Sequence, residues 1–408
     1  MSLKWTTTLL LVLVVNINTA PAAVAEEPGQ DTDEPGMAVG PAAAPGDKVP
    51  TPAPRKEAGQ VTLPGVLQKI WATTSLSTKW YLGYTVGEAK EESFNKFFVG
   101  RGYVTLKMKP LSWFESRVTM DTHQNDEGDW AVRLKYLYAK FKVPLETAVV
   151  TEPYVEIGLA HTPWFDFEQN INTYRMEGTM FLERNKLMNS ADLGITIGTL
   201  LGRRLPEAYQ KEVNSKYPGT WGSVALAVFN GGGYHAGEEN ENKVFQSRIS
   251  LRPAGPWLPN LQLSHHLVHG KGNTVDSPAW MINSFMASFE HQYFVLTAQL
   301  GLGQGNQAGD KVDPVTGESL DFFGYSFFGE AKLPWIRSSV ILRLDRFDWH
   351  TDGDPSADTR VIAGYAFHFA KKNFVLLSMD RVDYVEEGIP TDWQAKLTLQ
   401  VVFPTHSK

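Results

Sequence analysis

The chain has 408 residues, of which 42% are hydrophobic and 20% charged, and its formal net charge is −7. The absence of cysteine excludes structural disulfides, thiolate zinc sites, covalent haem attachment and a cysteine nucleophile. The mild acidity argues against a nucleic-acid partner, which selects a basic face, and the 12% aromatic content is high for so modest an apolar total.

At the N-terminus, Lys4, the apolar run Leu9–Val15 and the small residues Ala23 and Ala25 form a secretory signal peptide pattern. Cleavage is expected after Ala25, making 1–25 the signal. The run is far shorter than the roughly 20 apolar residues of a spanning helix. Beyond it the longest apolar run is the six residues Val224–Phe229. Residues 26–60 scatter ten charged side chains among seven prolines and many Ala and Gly. Such a segment buries too little apolar surface to offset its ordering entropy, so a disordered leader is expected. The body, 61–408, is nearly neutral, with 34 basic and 38 acidic residues.

From about residue 72 the body falls into segments with period-2 alternation, separated by Gly, Pro, Asn and Asp clusters, which is the strand signal. In chain order the segments are 72–84, 98–108, 114–122, 130–142, 154–161, 190–201, 221–230 and 244–252. The second half adds 261–269, 280–289, 293–303, 321–332, 337–348, 359–369, 373–384 and 392–403. Sixteen is an even number, as a single-chain outer-membrane barrel requires. The predicted fold is all-β: a transmembrane antiparallel β-barrel.

The connections sort by parity. Short ones follow even-numbered segments (109–113, 290–292, 333–337, 370–372), and longer polar ones follow odd-numbered segments (85–97, 231–243, 304–320, 349–358). Short turns at one end and long loops at the other is the barrel asymmetry. The connection 202–220 breaks the rule, with nineteen residues where a turn is expected. The third long loop, about 162–189, carries Trp164, Phe165, Phe167, Tyr174 and Phe181. Left in water it would expose a large apolar patch, so it is expected to fold inward and narrow the lumen. Trp80, Tyr81, Trp130, Trp221, Trp280, Tyr293, Trp335, Trp349, Tyr384 and Trp393 bracket the strands and read as interfacial girdles.

Four stretches carry a family resemblance: GLAHTPW at 158–164, YRMEGTMFLER at 174–184, SADLG at 190–194 and VFNGGGY at 228–234. With the strand count and the place of the long loop, they make 72–403 similar to the phosphate-selective porin O and P family. The resemblance implies a sixteen-stranded homotrimeric channel in the outer membrane of a Gram-negative bacterium. It also implies basic residues that line lumen and constriction and select phosphate. Here the constriction loop departs, with Arg175, Arg184 and Lys186 set against Asp166, Glu168, Glu177 and Glu183. The end of the last strand, LTLQVVF, resembles the terminal signal of barrel proteins but is followed by PTHSK.

The period-2 register turns eleven basic residues inward: Arg101, Lys107, Arg117, Arg133, Lys135, Arg248, Arg252, Lys332, Arg343, Arg360 and Lys396. The inward acids are six: Glu115, Asp121, Glu156, Asp192, Glu330 and Asp345. A positive lining predicts a weak preference for anions, offset in part by the acidic loop. No catalytic constellation emerges. His265 and His269 share a strand face about 13 Å apart, too far for one metal, and with His266 read as lumen or rim residues. The GLGQGN run at 301–306 precedes a loop instead of a helix, so it lacks the context of a phosphate cradle. The leading expectation is therefore a passive channel for small anionic or neutral solutes, embedded in lipid, with no cofactor or metal and no enzymatic activity. A barrel sheathing a periplasmic redox or export partner would show the same wall.

Overall fold

The computed structural model describes residues 72–404 except 126, 352–353, 371 and 386–387; the signal and leader segments lie outside the described residues. The first eight strands are β1 (Thr74–Ala89), β2 (Glu92–Leu111), β3 (Phe114–Gln124), β4 (Trp130–Lys142), β5 (Val150–His161), β6 (Ala191–Leu201), β7 (Gly222–Phe229) and β8 (Val244–Leu251). The rest are β9 (Leu261–Lys271), β10 (Ala279–Glu290), β11 (Phe294–Gln304), β12 (Asp321–Leu333), β13 (Ser338–Thr351), β14 (Asp354–Ala370), β15 (Asn373–Asp383) and β16 (Asp392–Pro404). Each strand pairs antiparallel with its chain neighbours, and β1 pairs with β16, from Ser77 opposite Pro404 to Glu88 opposite Trp393. The barrel is closed. Closure leaves no strand edge with unpaired backbone groups, which is what hydrocarbon demands. Among the described residues no helix is long and apolar enough to cross a membrane.

The alternation read from sequence sorts the faces. On β8, Phe245, Ile249 and Leu251 are exposed while Gln246, Arg248 and Ser250 are buried. On β16, Leu397 and Phe403 are exposed while Thr398 and Gln400 are buried. Apolar side chains therefore point outward and polar ones inward. We expect Leu399→Arg to cost about 2–4 kcal/mol if it lies at the membrane midplane. The inward Gln394→Lys should be tolerated. Gel mobility of unheated against boiled protein measures both.

All sixteen expected segments are strands, but two expected loops are not loops. β1 and β2 continue through 85–97 and meet in a two-residue turn, Lys90–Glu91, with φ of 51° and 65°. Positive φ at both central residues matches the twist of the flanking strands. Likewise β13 and β14 continue through most of 349–358. Strands above the lipid need no apolar face, so their period-2 signal fades while the ladder persists.

Three girdle assignments are also corrected. Tyr81 and Trp280 are buried on the inner face, and Trp349 packs on the inward Phe322 and Phe347. Trp80, Trp130, Trp221, Tyr293 and Trp335 are exposed. Of the three histidines on β9, His266 points inward, whereas His265 points outward against Phe285, with ring centroids 4.7 Å apart.

Candidate functional site

The segment 162–190 joins β5 to β6 and holds two short helices, α1 (Pro163–Glu168) and α2 (Phe181–Arg184). Pro163 suits the first turn of α1, where its missing N–H costs nothing. All five aromatic residues of the segment are buried. Trp164 stacks on His266 of β9 (5.2 Å), and Tyr174 donates to Glu330 of β12 (2.7 Å) and packs on Phe374 of β15. Phe181 packs on Phe347 of β13. Glycine makes room for it: a Cβ on Gly324 would stand 2.9 Å from the Phe181 ring. These partners are inward side chains on strands from β9 to β15. Each buried aromatic contributes about 1.5–3 kcal/mol of transfer free energy.

Charge fixes the same segment to β13 and β16. Asp345 accepts from Arg184 Nη1 (2.8 Å), Arg343 Nε (2.8 Å) and Ser326 Oγ (2.6 Å). Arg343 Nη1 donates to the carbonyl of Thr179 (2.9 Å), and Lys396 Nζ to that of Glu177 (2.6 Å). Gly178 leaves the space that the Arg184 guanidinium occupies. Within the segment, Arg175 Nη2 donates to Glu183 Oε2 at 2.7 Å. Burial opposes ionisation of Glu183, yet the Arg175 and Arg101 guanidinium groups hold its carboxyl below the usual range. At Glu168 burial outweighs the attraction of Arg343 and pushes the carboxyl up to about 8. Burial likewise raises Glu177, whose carboxylate stands 3.9 Å from Arg343. At the loop end, Asn306 and Gln307 clasp the segment through the carbonyls of Lys186 and Leu187.

The opposite wall, β1 to β5, is built differently. Its inward cations sit against tyrosine rings: Arg117 over Tyr136 (4.5 Å), Arg101 over Tyr103 (5.7 Å) and Lys140 over Tyr154 (3.5 Å). Arg133 and Lys135 flank Tyr234, which comes from the 230–243 loop, at 5.0 and 4.1 Å. Such contacts hold long cationic side chains in place without neutralising Arg101 and Arg117, whereas Arg133 is bridged to Asp121 (3.2 Å) and Lys140 to Glu156 (3.5 Å).

Of the residues singled out from sequence, Arg175 and Glu183 pair with each other, while Arg184 and Glu177 meet the β13 cluster. Lys186 is exposed and offers only its carbonyl to Asn306. Arg101, Lys107, Arg117, Arg133, Arg360 and Lys396 are inward and at least partly exposed. Arg248, Arg252, Arg343 and Lys135 also point inward but are sealed. Arg248 lies beneath Phe167 and Tyr217, and Arg252 donates to the carbonyls of Tyr217 and Gly219. Sequence reasoning missed Lys79 and Lys140, both on the inner face, and the Tyr103–Tyr136–Tyr234 group. Period-2 counting through the bulge between Thr119 and Met120 finds Lys140 and Tyr136. No metal-binding group of His, Asp and Glu occurs among the described residues.

No protein-family model matches the chain, and no curated protein sequence does. Solved structures do resemble it. An anion-selective porin from Comamonas acidovorans aligns with a TM-score of 0.56 at 9% identity, over 81% of this chain and 99% of that one. Salmonella typhi OmpF, in complex with daunomycin, aligns at 0.54 and 10% identity, over 81% and 97%. The trimer form of OmpT, an outer membrane protein of Vibrio cholerae, aligns at 0.52 and 9%, over 81% and 99%. At such identities the shared property is the fold, the sixteen-stranded antiparallel barrel of outer-membrane porins.

Proposed function

We propose that this chain is an outer-membrane channel for passive diffusion of small hydrophilic solutes, with a weak preference for anions. The observation that carries the reading is an asymmetry across the lumen. Segment 162–190 is pinned to the β9–β16 side, and partly exposed cations on β1–β4 face it across the remaining opening. A solute crossing there passes between Arg101 and Arg117 on one side and the Arg175–Glu183 pair on the other. Size is set by the segment, and charge by the wall. We assign the constriction to 162–189 and the anion preference to Arg101, Lys107 and Arg117, with Lys396 opposite; Arg133, expected to share that role, is bridged to Asp121. The sealed Arg248, Arg252 and Arg343 serve structure, which makes the preference modest. Signal-directed export, the loop end facing outward and a homotrimeric assembly complete the proposal. The fold likeness to a trimer form and the short motifs shared with the phosphate-selective porin O and P family support it. Nothing in the mixed-charge segment favours phosphate over other anions.

The test is single-channel recording of purified protein in planar bilayers with a solute series. Discrete conductance steps and size-limited permeation are expected; a silent bilayer with correctly folded protein overturns the reading. A second expectation concerns pH. Burial raises Glu168 to about 8, so the carboxyl ionises as pH passes that value and adds negative charge within segment 162–190. Raising the pH should therefore weaken the anion preference, and Glu168→Gln should remove the part of that change due to this residue. Zero-current potentials of both proteins between about pH 6 and about pH 9 measure it.

A further inference from the structure

The nineteen-residue connection between β6 and β7 was the one feature that barrel parity could not explain. It carries a helix, α3 (Glu207–Glu212), and begins at the same end of the barrel as the short turns. Arg252, just past the end of β8, grips it by donating Nη1 to the carbonyls of Tyr217 (3.1 Å) and Gly219 (2.6 Å). From there it reaches segment 162–190. The Tyr217 hydroxyl donates to Asp166 Oδ2, its ring packs on Phe167 (5.7 Å), and Arg248 lies over both rings. Asn214 Nδ2 donates to the carbonyl of Asn170 (3.0 Å) and to Glu290 of β10 (2.7 Å). These partners are loop residues and inward side chains, so the stretch from Asn214 to Gly219 enters the lumen, while α3 has no buried residue.

A line of contacts then joins the β3 wall to the connection. Arg117 of β3 meets His161 (3.2 Å), His161 stands 3.9 Å from Asp166, and Asp166 holds Tyr217. Beside this line lies a recess of about 210 Å³, lined in part by Lys140, Lys142, Lys216, Arg204, Asp166 and Glu152. Glu152 is occupied by Arg204, and Asp166 by His161 and Tyr217. Lys142 and Lys216 are both exposed, and among the described residues no carboxylate lies within 4 Å of either.

We propose that connection 202–220 forms a second narrowing in series with segment 162–190, whose Lys142 and Lys216 select small inorganic anions on the turn side. The inference rests on the channel reading and adds a selectivity element to it. Two narrowings in series limit flux more steeply than one, because each adds its own electrostatic and steric barrier. Arg252 and Asp166 position the connection; Lys142 and Lys216 face the solute.

The natural absence of cysteine makes the test clean. Lys216→Cys is refolded, checked for heat-modifiable gel mobility and recorded in a bilayer before and after a bulky methanethiosulfonate reagent. Labelling with a loss of single-channel conductance is expected. Complete labelling without a change in conductance, or no labelling of the folded protein, overturns the proposal. In parallel, Lys142→Glu/Lys216→Glu should shift the zero-current potential of chloride solutions toward cations, and an unchanged potential also overturns it. These failures are distinct from that of the channel reading itself, which would show as a wild-type protein without conductance.

Discussion

A potassium chloride gradient across a bilayer holding the wild-type protein should give a zero-current potential of the anion-preferring sign, and Arg101→Glu/Arg117→Glu should reverse it. Both arginines project from the β2–β3 wall, each braced by a tyrosine ring and, among the described residues, neither paired with a carboxylate within 4 Å. Two charge reversals change the lumen charge by four units on the wall proposed to face segment 162–190. Wall charges there lie within the screening length of about 8 Å at physiological salt, so the solute feels them. Such a change outweighs a modest starting preference. A double mutant that conducts with unaltered selectivity would show that the solute path runs elsewhere.

The second large effect concerns Asp345→Ala. That carboxylate accepts from Arg184, Arg343 and Ser326, and it is the main anion holding two buried guanidinium groups together. Removing one partner of a buried ion pair costs about 3–5 kcal/mol, because the other charge stays buried and uncompensated. The loss falls on the docking of segment 162–190 more than on the barrel ladder. The expected signature is therefore a noisier, larger conductance at nearly normal barrel content. Circular dichroism and single-channel noise together separate this from global unfolding. Asp345→Asn keeps the shape and some hydrogen bonds and should give a smaller change.

The barrel was legible because a strand with lipid on one side and water on the other must alternate, and β8 and β16 do so without interruption. Legibility failed where that two-solvent condition lapses. Residues 85–97 are rich in charged residues, so Thr85, Gly87 and Lys96 look like a loop while forming ladder pairs. A bulge shifts the face by one residue, which hid Tyr136 and Lys140. Aromatic identity does not encode direction, and so Tyr81 and Trp280 passed for girdle residues. In segment 162–190 the aromatic count signalled burial, but the latch with Asp345 joins residues 161 apart in the chain and has no local pattern. The same holds for Tyr217 and Asp166: each is an ordinary polar residue until the fold brings them together.

The docking of segment 162–190 also constrains the order of assembly. Its apolar contacts are spread over β9–β15, and a further bond reaches β16 through Lys396. The seam between β1 and β16 joins the two ends of the body and is the longest-range pairing in the barrel. Loop-closure entropy makes that pairing the costliest to initiate and favours its forming late. A segment carrying Trp164, Phe165 and Phe181 gains its burial only on the concave side of an unfinished sheet. On this argument we expect the curved half-barrel to act as a mould that the segment fills first, the seam shutting afterwards over a lumen already furnished.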